Sequence, residues 1–168
     1  EKHPLNPVDV NGINKIAGEQ YHLLYNQVHG IRSTALRLTN TYGPRMRIKD
    51  ARQTFLGIWI RNLLEEKPIQ VYGDGQQRRD YNYVDDLVDA LLFTATEKKA
   101  VGKVYNLGAS DPMSLIVSAE IMCRGIEGAT WNLVPFPQDR QAIDVGDFTC
   151  DYSSFSSDFG WKPKIRFE

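Results

Sequence analysis

A chain of 168 residues, 42% hydrophobic and 24% charged, has the ordinary make-up of a folded protein and enough length for one core or slightly more. A net charge of -1 and a pI near 6.4 exclude a global field that would recruit nucleic acid or an anionic membrane, so any anion site must be local. Two cysteines, Cys123 and Cys150, exclude a disulfide framework and point to a reducing, cytoplasmic setting. No apolar run approaches the ~18 residues of a membrane span. The chain opens on Glu1 rather than methionine and has no basic-then-apolar leader, so it is expected to begin downstream of a longer protein's start.

Between Asp9 and His29, Ile13, Ile16, Ala17, Tyr21, Leu24 and Val28 recur at helical spacing, with Asp9 placed to cap the start and Gly30 to close the end. The β-favouring stretch 31–39 reads as a strand that ends at NTYGP. A helix closed by glycine and followed at once by a strand is the unit of α/β architecture. Residues 54–66 read as a second helix, with Phe55, Leu56, Trp59, Ile60 and Leu63 on its buried side. Lys67-Pro68 stops it before a strand at 69–72. A strand at 81–84 follows, then a helix to about Thr96 capped by Asp85 or Asp86. A strand at 104–107 closes on Gly108, and Ser114 caps a helix carrying Leu115, Ile116, Ala119 and Met122. A strand at 131–135, a polar loop at 136–150 and a short helix at 152–159, stopped by Gly160, complete the chain. It contains no repeat, low-complexity tract or linker.

The most informative stretch is GDGQQRRDYNYVDDLVDALL at 73–92. Gly73 and Gly75 permit a tight turn with close backbone approach. Arg79 leaves that turn just before an aromatic strand, where a guanidinium can fork onto two phosphate oxygens. A basic pair can equally serve only to solvate a turn, and spacing alone does not separate the two. In RLTNTYGPRMR, 37–47, Asn40 stands at the C-terminal edge of a strand, where open α/β sheets hold ligands; the bland alternative is turn chemistry by Asn40 and Pro44. FPQDRQAIDVGD, 136–147, carries Arg140 flanked by Asp139 and Asp144, and Arg140 with Arg79 would make a two-arginine clamp on a diphosphate. His3, His22 and His29 lack ligand spacing and the cysteines lack CxxC spacing, so no metal site is expected. Neither GxGxxG nor GxxGxxG occurs.

NGINK at 11–15, RLTNTYGPRMR, VYGDGQQRRDYNYVDDLVDAL, VYNLG and FGWKP follow in the order seen in the extended short-chain dehydrogenase/reductases. These are NAD-dependent nucleotide-sugar epimerases, dehydratases and decarboxylases, and the chain resembles their C-terminal half along essentially its whole length. DARQTFLGIWIR, 50–61, looks most like members acting on deoxysugar or lipopolysaccharide precursors. The resemblance implies an α/β fold: the C-terminal part of a Rossmann-like doubly wound domain plus the small α/β substrate-binding domain, with the N-terminal dinucleotide-binding half missing. Residues 1–42 would be the Rossmann remnant and 43–168 the nucleotide-sugar-binding domain. It further implies that Lys15 is the lysine of the family's YxxxK motif, that Asn40, Arg79 and Arg140 bind the substrate's phosphates, and that Gln53, Phe55, Val71 and Tyr72 shape the base pocket.

Two departures qualify that inheritance. The motif tyrosine is Asn11 here, and an amide has no titratable proton for a base cycle near neutral pH. Without a glycine turn entering a helix, NAD has no ordinary seat. The expectation is therefore a catalytically incomplete chain that binds a nucleotide diphosphate sugar but no NAD by itself. The alternative is a non-catalytic binding or dimerisation module that docks with a partner. A homodimer or larger assembly is expected on either reading, because Ile13, Ile16, Leu23, Leu24 and Val28 spread around more than one side of the first helix.

Overall fold

The computed structural model describes residues 1–49 and 54–168. In chain order its first elements are α1 (Val10–His29), β1 (Ala35–Leu38), β2 (Asn40–Tyr42), α2 (Phe55–Leu64), β3 (Ile69–Tyr72), β4 (Arg78–Arg79) and β5 (Tyr81–Tyr83). Then come α3 (Val84–Thr96), β6 (Val104–Leu107), β7 (Met113–Ser114), α4 (Leu115–Arg124), β8 (Trp131–Val134), α5 (Gln138–Gln141) and α6 (Ser153–Phe159). Among the described residues no helix is long and apolar enough to cross a membrane.

The caps work as the sequence suggests at both ends of α1. The Asp9 carboxylate accepts from the Gly12 amide at 2.7 Å, and Gly30, at φ 66°, turns its amide back onto Asn26. Ser114 likewise accepts from the Val117 amide at 3.3 Å to start α4. Asp86 behaves differently from its expected role as a cap. It lies inside the first turn of α3, buried, and its Oδ2 accepts from the Lys164 and Ile165 amides at 2.9 Å each. The carboxylate therefore fastens the C-terminal tail rather than its own helix.

The sheet connections are mostly parallel. β1 pairs with β6, β2 with β5, and β3 with β8, while β4 and β7 form a two-residue antiparallel ladder. The extended run 35–42 thus changes partner at Thr39, from β6 to β5. Asn82 stitches that fork: its Nδ2 donates to Thr39 Oγ1 at 2.7 Å and to the Leu107 carbonyl at 3.0 Å. The strand expected at 31–39 begins four residues later, at Ala35, and the β4–β7 ladder and α5 lie where the sequence reads as loop. Two-residue ladders carry too few side chains to register as a period.

Two apolar clusters form the interior. One joins Leu56 and Trp59 of α2, Ile69 and Val71 of β3, Tyr81 of β5 and Ala119 of α4. The other joins Leu87 and Ala90 of α3, Ala100, Tyr105 and Leu107, and Phe155 of α6, with Leu36 against it. Leu36, from before position 42, packs against the second cluster. By contrast, no residue of α1 is buried. A polar fork ties it to the sheet: Arg37 of β1 donates from Nε and Nη2 to the two carboxylate oxygens of Glu19, each at 2.7 Å, beside the half-buried Ile16 and Leu23.

Replacing Asp86 by alanine should remove the acceptor for two tail amides and lower stability by about 2 kcal/mol. Urea denaturation measures the loss, and amide exchange at Lys164 and Ile165 should quicken. An unchanged midpoint would show that the tail is held by Trp161 packing alone.

Candidate active-site cleft

The turn before β4 sets the geometry of the site. Gly75, at φ 66°, faces inward so closely that an added Cβ would lie 2.7 Å from Ile116 and 2.8 Å from Val71. This packs the turn down and delivers Arg79 into the interior, where the residue is only 9% exposed. Beside it opens a cleft of about 140 Å³. Phe55, Ile58 and Trp59 of α2 form one wall, Gln70 and Tyr72 of β3 another, and Gln77, Leu115, Phe136 and Asp144 complete it around Arg79. The aromatic walls are braced in pairs, with Phe55 edge-on to Trp59 at 5.0 Å and Tyr72 tilted against Phe136 at 5.5 Å. The Trp59 indole also donates to the Gln70 carbonyl at 3.1 Å.

Arg79 is already engaged. Its Nη2 meets Asp144 Oδ1 at 3.2 Å, and its Nη1 donates to the Arg78 carbonyl at 2.9 Å and to the Gly146 carbonyl. The guanidinium is thus presented in a largely apolar recess with one carboxylate opposite it. Such an arrangement suits a second, stronger anion, because low local dielectric magnifies the attraction.

Of the residues singled out in the sequence, Phe55, Tyr72 and Arg79 meet at this cleft. Val71 does not line it. Side chains alternate along a strand, so Ile69 and Val71, both fully buried, face the apolar cluster while Gln70 and Tyr72 face the cleft. Asn40 lies at the start of β2 rather than at a strand's exit, half-buried, with its Nδ2 donating to the Asp80 carbonyl at 3.1 Å. Arg140 sits on α5 with its side chain 47% exposed, 3.9 Å from its neighbour Asp139. The two arginines therefore do not form a clamp here, because Asp144 occupies Arg79 and Arg140 faces solvent. Gln53 lies outside the described residues. Asp144, Gln77, Gln70 and Phe136 are wall residues that sequence reasoning did not select. Period-two alternation from the buried Val71 picks out Gln70, whereas nothing in the polar loop singles out Asp144 from Asp139 and Asp147.

Lys15 and Asn11 stand together on α1, both exposed, and neither lines the cleft. Tyr72 lines the cleft, while Tyr81 and Tyr42 are held within the packing beside it. Burial pushes the Tyr81 phenol up to about 12, with its hydroxyl 2.7 Å from Ser118 Oγ, and burial pushes Tyr42 up to about 12 as well. Both stay protonated at neutral pH. The Gly73–Gly75 turn runs into strand β4 and not into a helix N-terminus. Among the described residues no group of three or more His, Cys, Asp or Glu side chains could hold a metal ion.

The family model of the NAD-dependent epimerases and dehydratases matches residues 1–108. The chain belongs to this family. A Methanocaldococcus jannaschii protein provisionally named a UDP-glucose 4-epimerase is 35% identical over 98% of this chain and 52% of its own length. A dTDP-glucose 4,6-dehydratase of an Actinoplanes species is 29% identical over 99% of this chain and 50% of its own. The chain thus spans about half the length of the curated relatives it matches. Among solved structures, Pal from Bacillus thuringiensis superposes with a TM-score of 0.86 at 28% identity, covering 98% of this chain and 51% of that one. The UDP-glucuronic acid 4-epimerase of Bacillus cereus, solved with UDP-glucuronic acid and NAD, gives 0.78 at 27% identity over 96% of this chain and 50% of that one. The architecture is accordingly α/β and Rossmann-like, covering part of the epimerase/dehydratase fold.

Behind the cleft runs a polar seam. Asp80, 1% exposed, accepts on Oδ2 from the Ala109 amide at 3.2 Å and the Cys150 amide at 3.1 Å. Among the described residues its Oδ1 and the Asn82 Oδ1 are buried with no hydrogen-bond partner. Burial pushes the Asp80 carboxyl above its ordinary value despite the amide bonds from Ala109 and Cys150. The sign follows. An acid whose folded value is raised favours the fold while protonated, below its unfolded value of about 3.9, and loses that contribution as pH rises through the folded value. Asp80→Asn removes the buried charge while keeping an acceptor for both amides. It should match the parent near pH 3.5 and exceed it by about 1 kcal/mol at pH 7. Thermal melts across that range check it; a constant offset at every pH would contradict the assignment.

Proposed function

We propose that this chain is the nucleotide-sugar-binding part of an NAD-dependent epimerase or dehydratase, and that it is catalytically incomplete as it stands. The observation that carries the reading is Arg79: a guanidinium held in a recess between aromatic walls, with an anion already on it. A nucleotide presents what such a recess accepts, a flat base for the Phe55, Tyr72 and Phe136 surfaces and a diphosphate for the arginine. The B. cereus epimerase, solved with UDP-glucuronic acid, supports the same ligand class. Asn40 and Arg140 are assigned to the phosphates and Lys15 to the nicotinamide ribose by family position, with Asn11 in place of the tyrosine. On this reading 1–42 is the remnant of the dinucleotide domain and 43–168 the substrate domain. The two cysteines, both unbridged, suit a cytoplasmic protein.

Calorimetry with UDP-, CDP- and dTDP-sugars tests the proposal. One of them should bind weakly, and Arg79→Ala should reduce that affinity about ten-fold or more, the loss of a charge-assisted bond. NADH should give no saturable signal at micromolar levels. Absence of any nucleotide-sugar binding, or an Arg79→Ala variant that binds as the parent does, would reject the assignment.

A second reading rests on α1. Its twenty residues include none that are buried, and Val10, Tyr21 and Val28 are each more than 60% exposed. Leu91 and Leu92 of α3 are exposed as well. Apolar surface of this kind favours a docking or dimerisation module. Light scattering should report a dimer or larger species; a dilute-solution mass near 19.1 kDa would reject this reading.

A further inference from the structure

Asp144 has two jobs in this structure, and both concern one loop. Its Oδ1 faces Arg79 Nη2 at 3.2 Å, and its Oδ2 accepts from the Gly146 amide at 3.1 Å, which folds residues 144–146 into a tight turn. The Gly146 carbonyl then returns to Arg79 Nη1. Immediately beyond, the chain is fastened independently of Arg79. Arg78 N donates to Asp147 Oδ1 at 2.7 Å, and Phe148 N donates to the Arg78 carbonyl at 2.9 Å. Immediately before, Ile143 N and Asp144 N make long bonds of 3.3 Å to the carbonyls of Arg140 and Gln141. The segment 143–146 is therefore a short arch between two anchored ends, pinned to the cleft through the Arg79 guanidinium.

Little apolar burial holds the arch down. Ile143 and Val145 are 41% and 50% exposed. The Asp144 side chain itself is 24% exposed, against 11% for Arg79, so solvent reaches the ion pair from the aspartate's side. Both residues line the cleft.

Resting on the nucleotide-sugar reading, we infer that Asp144 is an internal stand-in for the ligand's phosphate, so that binding is an exchange in which an incoming diphosphate displaces the Asp144 carboxylate from Arg79 and frees the 143–146 arch. The charge count favours the exchange. A carboxylate brings one negative charge to Arg79, whereas a diphosphate brings more and offers more acceptor oxygens to the same fork. The arch also joins α5, which carries Arg140 four residues before Asp144. Freeing it is the movement that would bring a second arginine toward the same anion, and it accounts for the open clamp seen here. The cost of the exchange is the broken Arg79–Asp144 pair, which a variant can remove in advance.

Calorimetry with UDP and with dTDP on the full chain, its Asp144→Asn variant and its Asp144→Ser variant measures that cost. Both replacements keep a side-chain oxygen for the Gly146 amide but lose the charge on Arg79. The expected result is tighter binding by both variants, about five-fold, the ratio that corresponds to a partly exposed ion pair. If the parent binds and both variants bind equally or more weakly, Asp144 is a ligand contact or a structural acid, and the exchange is overturned while the site reading stands. If neither the parent nor either variant shows saturable binding to millimolar concentration, the site reading falls and the exchange falls with it. If the variants bind and the parent does not, the pair is a stronger block than stated here, and the exchange is upheld.

Discussion

The short path from Arg78 to Tyr83 has interior on both of its faces, and the rest of the structure is arranged to satisfy it. An extended chain turns successive side chains to opposite sides. One side carries Arg79 and Tyr81 toward the cleft and the α2–β3–α4 cluster. The other carries Asp80 and Asn82 into the seam between the run 35–42, β6 and the tail of the loop at Cys150. A buried polar group without a partner is expensive, so each of these four residues recruits chain from far away in sequence. Asp80 draws in Ala109 and Cys150, Asn82 ties Thr39 to Leu107, Tyr81 reaches Ser118, and Arg79 binds the arch at 144–146. Close approach is part of the same arrangement: an added Cβ at Gly108 would run into Cys150 and the Asp80 carboxylate.

This explains why the cleft is firm on one side and loosely closed on the other. Phe55, Trp59 and Tyr72 belong to helices and strands whose opposite faces are packed in a common core. Phe136 and Asp144 belong to a loop that is tied down mainly by polar bonds, with the Tyr72–Phe136 ring contact as its aromatic exception. An aromatic wall backed by Leu56, Ile69 and Val71 cannot shift without opening that core, whereas the arch can move by exchanging one anion for another. The rigid half of the cleft is thus largely aromatic, and the looser half carries the carboxylate that meets Arg79.

The fold was largely legible in the sequence because its helices carry their own punctuation. Asp9, Gly30, Ser114 and Gly160 stop and start helices through bonds to backbone a few residues away, and local chemistry of this kind is written in adjacent letters. The strand at 69–72 was found at its true bounds because Lys67-Pro68 ends the preceding helix. What local reading missed is non-local. Asp86 has the spacing of a cap, yet its partners are 78 and 79 residues away. Val71, taken for the pocket by resemblance, points into the core, while Gln70 and Tyr72 point to the cleft. The engagement of Arg79 by Asp144 spans 65 residues, and no pattern in the loop announces which of its acids will turn inward.

The same geometry separates the Arg79 cleft from the exposed helix α1. Every wall of the cleft comes from α2 onward, and its packing closes around the α2–β3–α4 cluster without α1. Lys15 and Asn11 belong to α1, which contributes nothing buried and is held to the sheet by the Arg37–Glu19 fork. A lysine on an exposed helix face has no cleft residue to position it, and the tyrosines the fold does bury are raised far from neutral pH. The residue at position 11 is therefore structurally independent of the Arg79 cleft. A change at Arg79, by contrast, reaches through Asp144 and Gly146 to the whole loop. Among the described residues the Arg79 cleft and the exposed helix α1 are two separately supported parts of the structure.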